Sequence, residues 1–484
     1  MYNSAMSQSS GRIFPQQYGA GGELPPAAGK EPMAVKHWSS SGLILTYWCN
    51  ARCQSCYLSC GPDKNSHGQN PGYDQDDQDM SVESALSVWR QLAQASPHGC
   101  RIHLTGGEPF GNWPRLIEIC RRACKEGLSS AGGKGPLEKV ETNAFWADSP
   151  RIVRDRVRAL ADAGMKKLAI SADPYHQQFV PIQRCRLAAE VAADVLGASG
   201  VQVRWRDWLD GGFDTEHLSD AERADLFASY AAHGRDRFNG RAADMLRPAE
   251  QNARCDMDWL KSTGRSSRPV LLKTAQDFAD MSCRETLLRG RGVHVDGSMR
   301  IMPGTCAGII LGQLASGSAT TGSQAGAANI SDAWHDLAQT CDHRPIVGTL
   351  ARQGPAGLLK LAEPMGFVPE KAYAGKCHLC WDIRRYLARQ DAANNENVQN
   401  KPGESSDLAK QSVEKWVSSR GRGILSSTKE GKRRQFIGEL SSFPDAAAQA
   451  KGPPVAETAF SAGCKGILRE LGPAWLYAKQ QATV

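Results

Sequence analysis

The feature that most narrows what this chain can be is the run Cys49-Asn50-Ala51-Arg52-Cys53-Gln54-Ser55-Cys56-Tyr57. It directly follows Gly42-Leu43-Ile44-Leu45-Thr46-Tyr47, a short apolar, β-favouring stretch that reads as a buried strand. Three thiolates at CxxxCxxC spacing can converge on one metal centre from a single loop. A cubane [4Fe–4S] cluster needs four ligands, so three cysteines leave one iron open to a substrate or cofactor. A structural zinc ion is the alternative, with Cys60 as its fourth ligand.

The compartment decides how the 15 cysteines are to be read. Residues 1–36 are rich in Gly, Pro, Ser and Gln and read as a disordered lead-in. They lack a charged start followed by an apolar block, so no secretory signal is expected. No apolar run approaches the roughly 18 residues of a membrane span. A cytoplasmic, reducing address follows, where clustered cysteines bind metal more often than they form disulfides. Isolated ones such as Cys120, Cys185 and Cys464 read as small hydrophobes. The formal charge of +7 over 484 residues is mild and does not argue for a nucleic-acid partner. The short basic run Lys432-Arg433-Arg434 reads as a solvated segment.

Beyond the cysteine run, strand and helix patterns alternate. Strands are expected at 101–105, 139–142, 167–171 and 201–205. Helices are expected at 81–95, 114–126, 150–163, 181–196 and 219–232, the first opening at Ser81. Repeated βα units of this length imply a parallel sheet covered by helices, open or curled into a barrel. Three motifs stand at strand ends, the edge where α/β folds bind ligands. They are Thr105-Gly106-Gly107-Glu108-Pro109, Glu141-Thr142-Asn143, and Ile170-Ser171-Ala172-Asp173-Pro174-Tyr175-His176. Glycines let backbone approach a ligand closely, and a carboxylate can balance an ammonium charge. Arg204 and Arg206 flank Trp205, so on a strand they share one face, which reads equally as a meeting place for an anionic group or as a solvated edge.

Together these segments resemble the radical S-adenosylmethionine (SAM) superfamily. Its signature is CxxxCxxC after a first strand, with an aromatic residue beside the third cysteine, as Tyr57 stands here. The resemblance implies an α/β fold, a partial (β/α)6 barrel over 37–250. It implies that Cys49, Cys53 and Cys56 hold a [4Fe–4S] cluster whose open iron chelates SAM. Tyr57, Gly106, Gly107, Glu108, Asn143, Ser171 and Asp173 would line the SAM site. An electron donor such as flavodoxin or ferredoxin would reduce the cluster, SAM would be cleaved, and the 5′-deoxyadenosyl radical would take hydrogen from a substrate.

A second set, Cys283, Cys306, Cys377 and Cys380, lies in 251–390. Residues 292–302 alternate around Asp296-Gly297, a hairpin signal. The set resembles the auxiliary-cluster region of SPASM or twitch extensions, which implies one further [4Fe–4S] cluster and raises the prior for a peptide over a small-molecule substrate. Zinc held by the four cysteines stays open, and Cys255 and Cys341 are candidate substitutes in either case. Residues 315–328 read as a loop, 332–390 as helix and loop, and 391–484 as a largely disordered tail. The competing reading of the whole is a zinc-binding interaction protein with two structural cysteine staples. An electron carrier is disfavoured, because carriers ligate every iron.

Overall fold

The computed structural model of the protein describes residues 35–62, 79–211, 219, 222, 238–245, 273–289, 292–306, 308–315 and 326–399, the last twelve by backbone only. The stretches expected to be disordered, 1–36 and 391–484, lie outside these residues except for 35–36 and 391–399, and the helix at 219–232 and the boundary at 250 lie outside them wholly or almost so.

The elements follow in order: β1 (Ser40–Ile44), α1 (Val82–Ala95), β2 (Arg101–Thr105), α2 (Trp113–Lys125), β3 (Leu137–Thr142), α3 (Pro150–Asp162), β4 (Lys167–Ile170), α4 (Pro174–Gln177), α5 (Ile182–Leu196), β5 (Val201–Val203) and α6 (Arg206–Gly211). The second half adds α7 (Arg284–Leu287), β6 (Gly292–Val295), β7 (Arg300–Pro303), β8 (Gly312–Gln313), α8 (Ile330–Thr340), α9 (Pro345–Ala362) and α10 (Lys376–Gln399). Local chemistry starts the long helices. Ser81, Asn112 and Ser149 each accept a backbone N–H from their own first turn, which satisfies a donor that the helix leaves free.

One sheet carries the strands in the order β5-β4-β3-β2-β1-β6-β7-β8. The six strands from β5 to β6 are mutually parallel, and β7 and β8 continue antiparallel. The edge strands β5 and β8 do not pair with each other. Register explains the hydrophobic pattern. Val295, Leu43, Leu104, Val140 and Leu168 lie side by side across five strands, and all are fully buried. They share one core with the inner faces of α1, α2, α3 and α5. The next row, His294, Gly42, His103 and Lys139, points to the opposite face and is polar.

Gly42 is required there. A Cβ on it would sit 2.1 Å from the His294 ring and 2.5 Å from His103 Nε2. Its absence lets the two imidazoles meet across β1, with Nε2 atoms 3.2 Å apart.

The hairpin expected near Asp296-Gly297 is β6–β7, but its left-handed residue is Met299 (φ 61°), not Gly297. Asp296 holds the turn: it accepts from Arg300 Nε at 2.8 Å and from the Tyr47 hydroxyl at 2.8 Å. The strand expected over 201–205 stops at Val203, and Arg206 opens α6. Arg204 and Arg206 therefore do not share a strand face. Arg204 lies 3.6 Å from Asp173, and Arg206 pairs with Asp210 within its own helix. The C-terminal helix runs to Gln399, so residues 391–399 continue it where a disordered tail was expected to begin.

Candidate active site

The cysteine run leaves the C-terminal end of β1 and closes on itself. Cys49 N–H donates to the Gly61 carbonyl at 2.9 Å, and Cys56 N–H to the Cys53 carbonyl at 3.2 Å. Cys49 and Cys53 are buried, and Cys56 is half-buried. N–H groups are aimed at the sulfurs. Ala51 N–H reaches Cys49 Sγ at 3.4 Å, Asn143 Nδ2 reaches the same sulfur at 3.6 Å, and Cys60 N–H reaches Cys56 Sγ at 3.4 Å. Such donors suit thiolate ligands, which accept hydrogen bonds. Burial, with Glu108 nearby, raises the Cys49 thiol well above its usual range. The hydrogen bond from Cys60 lowers Cys56.

The Gly-Gly-Glu-Pro turn docks against this loop. Gly107 N–H donates to the Thr46 carbonyl at 2.8 Å and Glu108 N–H to the Trp48 carbonyl at 2.9 Å. A Cβ on Gly106 (φ 131°) would stand 2.4 Å from Thr46 O, and one on Gly107 2.0 Å from Trp48 O. The two glycines are therefore required by the packing of the loop itself.

Glu108 was expected to balance a ligand's ammonium group, but its carboxylate is turned inward and fully buried. Oε1 accepts from Thr142 Oγ1 at 2.9 Å and Phe110 N–H at 3.1 Å, and Oε2 from Asn143 N–H at 2.7 Å. Burial nonetheless pushes its pKa up to about 7. Glu108 thus ties the end of β2 to the end of β3, and through Asn143 to Cys49. Asn143 is itself buried, its Nδ2 also held at 2.8 Å by Asn50 Oδ1.

Asp173 likewise works inward. It caps α4 by accepting from Tyr175 N–H and His176 N–H, both at 3.0 Å, and holds the His176 ring at 2.8 Å. Burial alone would raise the Asp173 pKa, but His176 and Arg204 bring it well below the usual carboxylate range. For His176, burial is outweighed by Asp173 and by Cys53, which raise it. His176 therefore faces the cysteine loop. Ser171, Tyr57, Gly106 and Gly107 stay half-buried at the same sheet edge.

The second cysteine set is also brought together. Cys377 and Cys380 stand one turn apart at the start of α10, and Lys376 Nζ reaches the Ser282 carbonyl at 2.8 Å, beside Cys283. Cys306 follows β7 and interacts with Cys377, Cys380 and Cys283. Burial first, then these neighbours, pushes Cys306 and Cys283 up to about 12. The alternative Cys341 lies at the end of α8 against Asp342 and Arg344, outside this group, and Cys255 lies outside the described residues. Among the described residues no trio of Cys, His, Asp or Glu is gathered tightly enough to hold a single metal ion.

Residues 43–186, from β1 into α5, match the family model of the radical SAM superfamily. The chain carries a radical SAM domain. That domain supports an enzyme of the radical SAM class, and it implies a [4Fe–4S] cluster and SAM binding. No curated protein matches the chain. Among solved structures it is similar to native anSMEcpe with bound AdoMet, at 13% identity over 62% of this chain and 80% of that one, with a TM-score of 0.30. It is also similar to native anSMEcpe with bound AdoMet and Cp18Cys peptide, at 13% identity over 55% and 73%, with a TM-score of 0.28. Likeness of that degree carries no residue roles across.

The radical SAM domain thus holds all three sequence motifs at one sheet edge. Sequence reasoning missed Arg241, whose Nε donates to the Cys53 carbonyl at 3.0 Å and whose backbone N–H donates to the Cys56 carbonyl at 3.1 Å. Its context, Asn239-Gly240-Arg241, reads only as a turn. The His103–His294 contact was missed because the two residues are 191 positions apart.

Proposed function

We propose that Cys49, Cys53 and Cys56 hold the SAM-binding [4Fe–4S] cluster, and that Cys283, Cys306, Cys377 and Cys380 hold a second, fully ligated one, in a twitch-like extension of a partial barrel. The first cluster, when present, supplies the electron that cleaves SAM. This chain's residues do the rest. Gly106, Gly107, Ser171 and Tyr57 are the half-exposed groups that meet SAM directly. Glu108, Asn143 and Asp173 act one step back, fixing the loop ends and the His176 ring. The substrate is a peptide, a protein or a small molecule, and the reductant a flavodoxin or ferredoxin in the cytoplasm.

The observation that carries the reading is the convergence on Cys49. Its sulfur takes Asn143 Nδ2 and Ala51 N–H, while Glu108 holds the Asn143 backbone from below. The test is metal content and SAM cleavage in anaerobically reconstituted protein. About eight irons per chain, with 5′-deoxyadenosine formed on adding dithionite and SAM, is the expected result. About four irons with turnover removes the second cluster. Zinc without iron, and no SAM cleavage, overturns the assignment of both cysteine sets.

A further inference from the structure

Residues 238–245 touch the first cysteine loop and residues beside the second cysteine set. On one side, Arg241 collects three carbonyls of the first loop: Cys53 at 3.0 Å through Nε, Cys56 at 3.1 Å through its backbone N–H, and Cys60 through a terminal guanidinium nitrogen. Gly240 makes this approach feasible. It is left-handed (φ 60°), and a Cβ on it would stand 2.3 Å from the Tyr57 carbonyl. On the other side, Asn239 Nδ2 donates to the carbonyl of Thr305, next to Cys306, at 3.4 Å. Phe238 packs on His378, between Cys377 and Cys380, with ring centroids 6.1 Å apart. Ala243 is buried against Trp381, the residue after Cys380.

We propose that this segment is a strap through which the second cysteine set positions the first, with Arg241 as the positioning residue. Gathering three carbonyls of one loop at one residue fixes the curvature of the loop. That curvature sets where its sulfurs stand. A guanidinium does this with a rigid fork of donors, whereas a lysine ammonium offers the charge without the fork. The fixed positive charge also favours the more electron-rich state of any cluster held by that loop, because it sits in a partly buried setting of low dielectric. The inference rests on the reading of Cys49, Cys53 and Cys56 as cluster ligands.

The test is a redox titration of the full-length reconstituted protein, followed by EPR with and without SAM. In Arg241→Gln the midpoint of the first cluster shifts to more negative potential, and the SAM-induced change in its EPR signal is lost. Arg241→Lys keeps a near wild-type midpoint but not the full SAM response. From the far side of the strap, Cys377→Ala with Cys380→Ala alters the line shape of the first cluster, although no residue of the first loop is changed. Should Arg241→Gln fail to fold, Gly240→Ala decides the matter, since it pushes the strap off Tyr57 with the charge retained. Loss of the SAM response there supports the strap. Wild-type midpoint and SAM response in the folded variants overturn it. Wild-type protein that assembles no cluster at the first loop sinks the underlying cluster assignment instead.

Discussion

At the scale of single residues, the site depends on polar groups buried with their partners. Asn143, Glu108 and Asp173 were each legible in the sequence as polar residues at strand ends. Their direction was not legible. Whether a carboxylate faces a ligand or a neighbouring backbone depends on which donors the next loop presents, and only the assembled sheet edge shows Thr142, Phe110 and Asn143 around Glu108. The His103–His294 pair gives a residue-scale prediction. Burial first, and then His103, lowers the His294 pKa to about 3, below its ordinary value of about 6.5 in the unfolded chain. A depressed pKa means that the neutral ring is the folded form. Its contribution to stability is therefore full above pH ~6.5 and is lost as pH falls towards ~3. In His294→Gln the unfolding free energy from urea titrations should fall less steeply with acid over that window, by up to about 1.4 kcal/mol per pH unit. Parallel slopes for the two proteins would show that the pair does not titrate with unfolding.

At the scale of elements, the βα alternation was readable because each strand pairs with its sequence neighbour and each helix has one apolar face. Ser81 as a helix start needed only local chemistry. The second half was harder to read, because its elements are placed by contacts distant in sequence. Helix α9 is an example. Gly354 breaks it with φ 61° ahead of Pro355, and a Cβ there would stand 1.7 Å from the Met281 carbonyl. The kink is thus the seat for residues 281–283, and Cys283 N–H is in turn held by the Leu350 carbonyl at 2.8 Å. Gly354→Ala should cost on the order of 1–3 kcal/mol, as strained backbone positions do. It should also lower reconstituted iron by up to about four per chain while the first cluster persists. Iron counting beside a thermal melt checks both. Full iron with an unchanged melt would mean that the seat is dispensable.

At the scale of the whole molecule, β1 is an interior strand. It lies between β2 from its own half of the chain and β6 from the other, and Asp296 in the β6–β7 turn holds the Tyr47 hydroxyl just before the cysteine run. The sequence shows β6 only as half of a hairpin; nothing local says that it also pairs with β1. A chain ended at residue 250 loses that flank and leaves β1 as an exposed apolar edge, which is prone to association. Such a truncated protein should elute as aggregate and melt without a cooperative transition. A soluble monomer with a cooperative melt would show that the first half stands alone.

The placement of β1 has a consequence for biosynthesis. The strand that leads into Cys49 leaves the ribosome well before its neighbour β6, which ends at Val295. At about 5–20 residues per second, the cysteine loop waits roughly ten to fifty seconds for that neighbour. During that interval its thiols are open to oxygen and to stray metal, so the nascent chain has its greatest need of protection long before it has any activity to protect.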